Sequence, residues 1–300
     1  MPAPSGSGGG RAMMSPGILA AAVVKVLPKK ATPLVFAALG GVLSENAGIV
    51  NIALEGIMAG GAFAAVATSY YTHSVALALA SALVTGALLA LVLAYFAIAQ
   101  RADQIIVGMA INIFAIGGTA YLVSAVFGQP GASPQVAGLR DESALTWAAA
   151  AIVVALHVFL YRTRAGTHLR AVGEEPRAAA TAGINVAAYR YGATMAGGAL
   201  AALGGAYLSV GETDIYSDGM VAGRGFIALA AVIFGKWTPF GAAGACVFFA
   251  FFSGLQIVLQ GANVPAQLLE MLPYLLTIVA IAGFIGRARP PASDGVVYEP

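Results

Sequence analysis

Charge is what this chain has least of. Only 9% of its 300 residues are Asp, Glu, Lys or Arg, against roughly 25% in soluble globular proteins, while 59% are hydrophobic. That balance excludes an ordinary soluble domain and indicates a polytopic membrane protein. A net charge of +2, with the basic residues at segment ends rather than in one patch, gives no reason to expect a nucleic-acid partner. Cysteine is represented once, by Cys246 inside an apolar run, so an internal disulfide and a CxxC or zinc pattern are excluded and a packing role is expected. The histidines, His73, His157 and His168, are too scattered for a metal cluster or a Ser/His/Asp set, and His157 reads as a hydrogen-bonded core residue. A phosphate-cradling loop is also missing, since Gly235-Lys236 is followed by Trp237 and preceded by no glycine-rich turn. No enzymatic activity, cofactor or metal is therefore expected in this chain.

What is present is a series of uncharged runs. Ser74 to Gln100 and Gln104 to Leu139 hold no ionisable side chain apart from tyrosines, and Ser143 to Tyr161 holds only His157 besides its tyrosine. Each approaches or exceeds the 20 or so residues with which a helix crosses about 30 Å of hydrocarbon. Tyr191 to Gly211, Phe226 to Gly235, Trp237 to Leu259 and Gln267 to Gly286 follow, the second of these short enough to be tilted or re-entrant. Long apolar runs without alternation predict helices rather than a barrel: an all-α fold of about eight to ten transmembrane helices. Residues 1–17 read as a disordered leader, 18–30 as an interfacial helix, 31–286 as the transmembrane domain and 287–300 as a polar, disordered cytoplasmic tail.

Arginines set the orientation. Arg162, Arg164, Arg170, Arg177 and Arg190 fall in one loop, 162–190, whereas Glu212, Asp214 and Asp218 lead the next, which makes the first cytoplasmic and the second external. Counting crossings backwards puts Arg101 inside and Tyr70 to His73 outside. Lys29 and Lys30 then lie inside only if Pro33 to Ser69 is a single crossing, that is, a broken helix with an unwound middle.

That middle is Ser44 to Glu55, SENAGIVNIALE, which puts Ser44, Glu45, Asn46, Asn51 and Glu55 into an otherwise apolar region. A charge at the bilayer centre costs roughly 2.5–3.5 kcal/mol on insertion scales, so ionisable groups there usually serve a pathway. Broken helices are where transporters place substrate. The plainer reading is a polar loop between two helices at the membrane surface. A weak repeat supports a transporter: Glu55 to Val66 and Asp218 to Leu229 share five of twelve residues, and the crossing count gives the copies opposite directions, an inverted repeat. Glu55 is expected to face the interior and to pair with Arg224 of the second copy.

In the cytoplasmic loop, Glu174 and Glu175 lead into Pro176, which suits the first turn of a helix. Arg177 and Ala178 to Ala180 continue it, and Gly183 can supply a left-handed cap. A short rigid helix between basic flanks is suited to docking in a partner's groove, although a solvated loop with incidental helix would have the same composition.

Four runs in order carry a family resemblance: ALGGVLSENAGIVNIALEGIMAGGAFAA, ADQIIVGMAINIFAIGGTAYL, RAVGEEPRAAATAGINV and GRGFIALAAVIFGKWTPFGA. Together they resemble the permease subunits of ABC importers for nucleosides and simple sugars, in the branched-chain amino acid and ribose permease superfamily. The likeness covers about Pro33 to Gly286 and departs from the family pattern at Asn46, where a basic residue is expected, and at Ala53, where glycine is. It implies a multi-pass protein of a bacterial inner or plasma membrane translocating a neutral polar solute, a nucleoside before a simple sugar. The implied partners are an ATP-binding subunit that uses ATP and magnesium, a second permease subunit, homologous or identical, an external solute-binding protein and the lipid bilayer. Glu174, Glu175, Pro176, Arg177, Ala178 and Gly183 would form the coupling helix. Ser44, Glu45, Asn46, Asn51, Glu55, Asn112 and Arg224 would line the substrate pathway. An ion-coupled secondary transporter, with Glu55 as the ion site, is the alternative.

Overall fold

A computed structural model describes residues 16–139, 141–259, 271 and 289–298; the expected span at Gln267 to Gly286 lies outside these apart from Met271. Among the described residues, ten α-helices run in the order α1 (Pro16–Glu45), α2 (Leu54–Thr72), α3 (Val75–Ala94), α4 (Gln104–Phe127), α5 (Ser143–Arg162), α6 (Arg164–Glu174), α7 (Pro176–Thr181), α8 (Val186–Ala206), α9 (Arg224–Phe234) and α10 (Pro239–Leu259). Helix α3 continues as a π-helical turn, Tyr95–Ala99, and α8 as another, Tyr207–Thr213. Among the described residues, six helices are long and apolar enough to cross a membrane. Helix α2, of 19 residues, is buried on every side from Leu54 to Ala62 and ends in the more polar SYYT. Expected boundaries shift in two places. Helix α1 is continuous through Pro28 and Pro33 rather than divided at residue 30. The run Gln104 to Leu139 is helical only to Phe127, where Gly128 turns left-handed; the remainder packs over the end of α8 through Ser133 N–H to Tyr216 O and Leu139 N–H to Val210 O.

The core is organised around α8. Its small residues let three helices approach to backbone contact, which is how membrane helices gain packing without a hydrophobic drive between them. A Cβ on Gly40 of α1 would collide with the Gly197 carbonyl, and one on Gly197 would lie 2.5 Å from the Gly40 carbonyl oxygen. Gly198 meets Gly86 of α3 in the same way, its added Cβ lying 2.5 Å from the Gly86 oxygen. Replacing Gly197 by valine should therefore destabilise by the 1–3 kcal/mol typical of overpacking, or about that much more because the obstruction is backbone. Thermal unfolding of the detergent-solubilised protein measures it, and an unchanged midpoint would mean that the helices can separate freely here.

The same contacts fix direction. Gly40 faces Gly197, the Pro33 carbonyl faces Gly204, and Lys30 Nζ pairs with Glu212 at 2.5 Å, so α1 runs antiparallel to α8. Ser81 Oγ donates to Ala64 O, and Gly60 faces Leu89, so α2 and α3 are antiparallel; α3 in turn opposes α8, with Ala90 at Gly198. Helices α1 and α2 are thus separate helices that run in opposite directions. The interruption falls where the sequence places it, between Glu45 and Leu54, but it is a turn at one end of the bundle rather than the middle of one crossing. Lys29 and Lys30 lie toward the opposite end of α1 from that turn, where Lys29 also pairs with Glu142. The single crossing expected over Pro33 to Ser69 is replaced by two antiparallel helices, and both lysines are paired with carboxylates far away in sequence.

Candidate translocation and coupling site

Between α1 and α2 the backbone leaves helical geometry, and each polar group so released needs a partner inside protein. Most of the polar residues anticipated here supply one. Ser44 Oγ donates to Ile49 O at 2.8 Å, and Asn46 Nδ2 donates to Val42 O at 2.7 Å and to Trp237 O at 2.9 Å. Glu45 accepts from Trp237 Nε1 at 2.5 Å. Asn112 of α4 reaches across, its Oδ1 accepting from Gly56 N–H at 2.7 Å and its Nδ2 donating to Ile52 O at 2.9 Å. Gln104, which sequence reasoning missed, accepts from Val50 N–H at 2.7 Å. Asn51 is fully buried, and neither atom of its amide has a protein partner.

Glu55 stands one residue into α2 and its carboxylate caps another helix. Its two oxygens accept from the N–H groups of Gly223, at 2.8 Å, and Gly225, at 2.7 Å, at the start of α9. The α9 run was expected to be tilted or re-entrant, and it is a half-length helix of 11 residues that begins inside the bundle at Glu55 and descends to Trp237 beside Glu45. A helix N-terminus buried in protein has unpaired donors and a positive dipole end, and a carboxylate satisfies both. The expected ion pair with Arg224 is replaced by this arrangement. The guanidinium turns back to its own chain, donating to Met220 O at 2.6 Å and Val221 O at 3.0 Å. Of the two aligned repeat segments, α2 is helical throughout while the second becomes helical only from Arg224, and they run in opposite directions.

The turn also touches the 162–190 segment. Pro176 opens α7 at its first position and Gly183, at φ +81°, closes it, with Ile184 N–H bonded to Ala179 O at 3.0 Å. The amphipathic helix α6 was not anticipated, although Thr163 as N-cap and Gly166, Leu169, Val172 and Gly173 on one buried face were the available signal. Glu174, Glu175, Arg177 and Ala178 are exposed and Pro176 is half-buried, whereas Gly173 lies so close to Asn46 O that a Cβ would overlap it. The anticipated pathway and coupling residues are therefore one connected structure. His157 proves to be stacked between Tyr161 and Phe240, at ring centroid distances of 4.8 and 4.7 Å, and its Nδ1 has no protein partner. Cys246 is buried, as a packing residue should be.

The tail, read as disordered, is docked here. Ser293 N–H donates to Gly173 O at 2.9 Å, Ser293 Oγ donates to the same carbonyl at 2.6 Å, and Arg190 Nη2 donates to Ser293 Oγ at 3.3 Å. These bonds join residues more than a hundred positions apart, and the tail's composition does not show them. Burial pushes the carboxyl of Asp294 up to about 7, the nearby Arg190 guanidinium opposing the shift only in part. A carboxyl raised on docking stabilises the docked form fully below its free value, near 3.8, and loses that contribution as pH rises through 7. Protease cleavage within 289–298 should be faster at pH 8 than at pH 6 once protease activity is normalised; equal rates would mean that Asp294 titrates alike in both states.

Sequence comparison decides the family. The model for the branched-chain amino acid transport system permease component matches residues 27–281. The chain belongs to that permease family. It is 39% identical to the guanosine ABC transporter permease NupQ of Bacillus subtilis, over 89% of this chain and 93% of that one. It is 36% identical to the nucleoside ABC transporter permease NupC of Lactococcus lactis over the same shares, and 30% identical to the glucose ABC transporter permease TsgB13 of Haloferax volcanii over 87% and 76%. The protein is thus the multi-pass permease subunit of an ABC transporter, without catalytic function of its own, and such a permease works with an ATP-binding subunit and a substrate-binding protein. The ion-coupled alternative is not favoured. In this permease the Glu55 oxygens anticipated as its ion site accept instead from backbone N–H groups.

Proposed function

We propose that this permease imports a nucleoside, with ATP hydrolysed by its partner and a second, homologous or identical permease subunit completing the pathway. The observation that carries the reading is the 39% identity to a guanosine permease over nearly the full length of both chains. Chemistry agrees with a neutral polar solute, because few formal charges lie in the apolar spans and Glu55 and Glu45 are engaged with donors of the protein. Helices α6 and α7 serve as the coupling element. They project exposed Glu174, Glu175, Arg177 and Ala178, and they press on the turn at Asn46 through Gly173, so a push on α7 reaches the segment that carries Asn51 and Glu55.

The test is uptake of labelled guanosine, adenosine, uridine and glucose by cells expressing the complete transport system, with unlabelled competitors. Nucleoside uptake that survives collapse of ion gradients but stops on ATP depletion is the expected result. Glucose uptake that nucleosides do not compete would overturn the substrate, and dependence on the ion gradient would overturn the mechanism. The isolated subunit should hydrolyse no ATP, because it carries no nucleotide-binding loop.

A further inference from the structure

The C-terminal segment is held more firmly than its composition suggests, and what it presents is apolar. Pro290 and Pro291 stiffen its entry, and Ala292 N–H donates to Glu174 Oε2 at 3.2 Å. Ser293, 6% exposed, is fixed by Gly173 and Arg190 in a notch where Gly48 leaves room; a Cβ there would lie 2.7 Å from Ser293 Oγ. Gly295, at φ +76°, then turns the chain outward. Tyr298 returns to the protein, its ring packing against Val172, Ala179 and Val186, with the Arg190 guanidinium carbon 5.6 Å from the ring centre. Between these anchors Val296 and Val297 stand 54% and 38% exposed.

Those two valines lie at the end of the bundle that carries α6 and α7, and no described part of the chain covers them. They line a groove of about 260 Å³ whose opposite wall is Glu174, Glu175, Pro176 and Arg177, the first turn of α7 and its approach. Behind α7 a second groove, of about 380 Å³, is closed by Tyr298 again, facing Ile98, Ala180 and Ile184. The short helix therefore does not stand alone as a contact. It rises between two depressions, each walled in part by the tail.

We propose that residues 292–298 form part of the docking surface for the ATP-binding subunit, with Val296 and Val297 as apolar contacts beside α7. The proposal rests on the reading of α6 and α7 as the coupling element and deepens it. Continuity selects the occupant: a partner that grips the exposed residues of α7 also reaches the groove they share with Val296 and Val297. The chemistry fits a protein surface offering an apolar patch with a mixed charged rim, matched to Glu174, Glu175 and Arg177 on one side and the valines on the other. Anchoring through Ser293 and Tyr298 orders the segment before the partner arrives, which lowers the cost of association.

The experiment uses the assembled transporter. Val296→Asp with Val297→Asp changes only outward-facing side chains and leaves the Ser293 anchor in place; Arg177→Glu with Ala178→Asp is the matching change on α7. Co-purification of the ATP-binding subunit with tagged permease should fall at least tenfold in both, with permease abundance and unfolding midpoint unchanged. Loss in the α7 variant with full retention in the valine variant overturns the tail proposal alone. Retention in both overturns the coupling reading and the tail proposal with it. A second measurement does not depend on weakened binding: Val297→Cys labelled with a photoactivatable maleimide, Cys246 being buried, should cross-link to the ATP-binding subunit. The same label at the opposite end of the bundle, on Tyr71→Cys, should not. Absence of the Val297 adduct in a transporter that still hydrolyses ATP would overturn the proposal.

Discussion

Glu55→Gln is expected to reduce uptake at least tenfold per molecule of permease in the membrane. In the native protein both carboxylate oxygens accept from N–H donors, those of Gly223 and Gly225. Glutamine keeps one acceptor and sets an NH₂ group against the other donor. A hydrogen bond to a charged group contributes about 1.5–3 kcal/mol, and an orphaned buried donor costs about 1–3 kcal/mol, so the start of α9 loses more than the roughly 1.4 kcal/mol that a tenfold change requires. Gly225→Ala should act on the same contact from the other side, since its Cβ would lie 2.5 Å from Glu55 Cα and 2.8 Å from Oε2. Arg224→Gln should be milder, because its guanidinium is bound to carbonyls of its own segment. The Glu55→Gln, Arg224→Gln double change should recover nothing over Glu55→Gln alone, because the lost bonds are to the amides of Gly223 and Gly225. Normal uptake by Glu55→Gln would remove the cap from the mechanism, and recovery in the double change would restore the ion pair that the sequence alone suggested.

The second large effect is expected at Gly173→Val. Its added atoms would occupy the space of the Asn46 carbonyl, with the Asn46 carbonyl carbon 2.9 Å from the first of them, so α6 must withdraw from the turn between α1 and α2. The same residue accepts both bonds from Ser293, so the tail shifts with it. Transport should fall to background while the ATP-binding subunit still associates and hydrolyses ATP, an uncoupled phenotype read by measuring uptake and ATPase on the same preparation. Proportional loss of both activities would instead place Gly173 in the docking surface, and undiminished transport would mean that the Asn46 contact transmits nothing.

How much of this was legible in sequence depends on how local the determining contacts are. Helix α7 was readable because Pro176, the alanines and Gly183 act within one turn of themselves. The spans were readable because charge is excluded from them. Glu55 was singled out correctly as an interior carboxylate, yet its partners are backbone amides of a half-helix, and backbone donors leave no mark in a residue string. The direction of α1 is not legible from Lys29 and Lys30 by the positive-inside tendency alone, because their partners, Glu142 and Glu212, lie more than a hundred residues on. The docking of the tail is hidden for the same reason: Ser293 is an ordinary polar residue until Gly173 and Arg190 are brought to it. Trp237 and Gln104 became visible only with the turn they satisfy.

Helix α8 begins three residues after Gly183 and, with its π-helical continuation, ends at Thr213, next to the glutamate that holds Lys30. A rod clamped against α1 and α3 by glycine-to-backbone contacts has little room to bend, so displacement at one end must appear at the other almost undiminished. The end of α8 that follows α7 and the end beside the Lys30–Glu212 ion pair are in that sense the two ends of one piston. Probes attached near Asn185 and near Glu212 should register the ATP-driven step together, with no lag between the two signals.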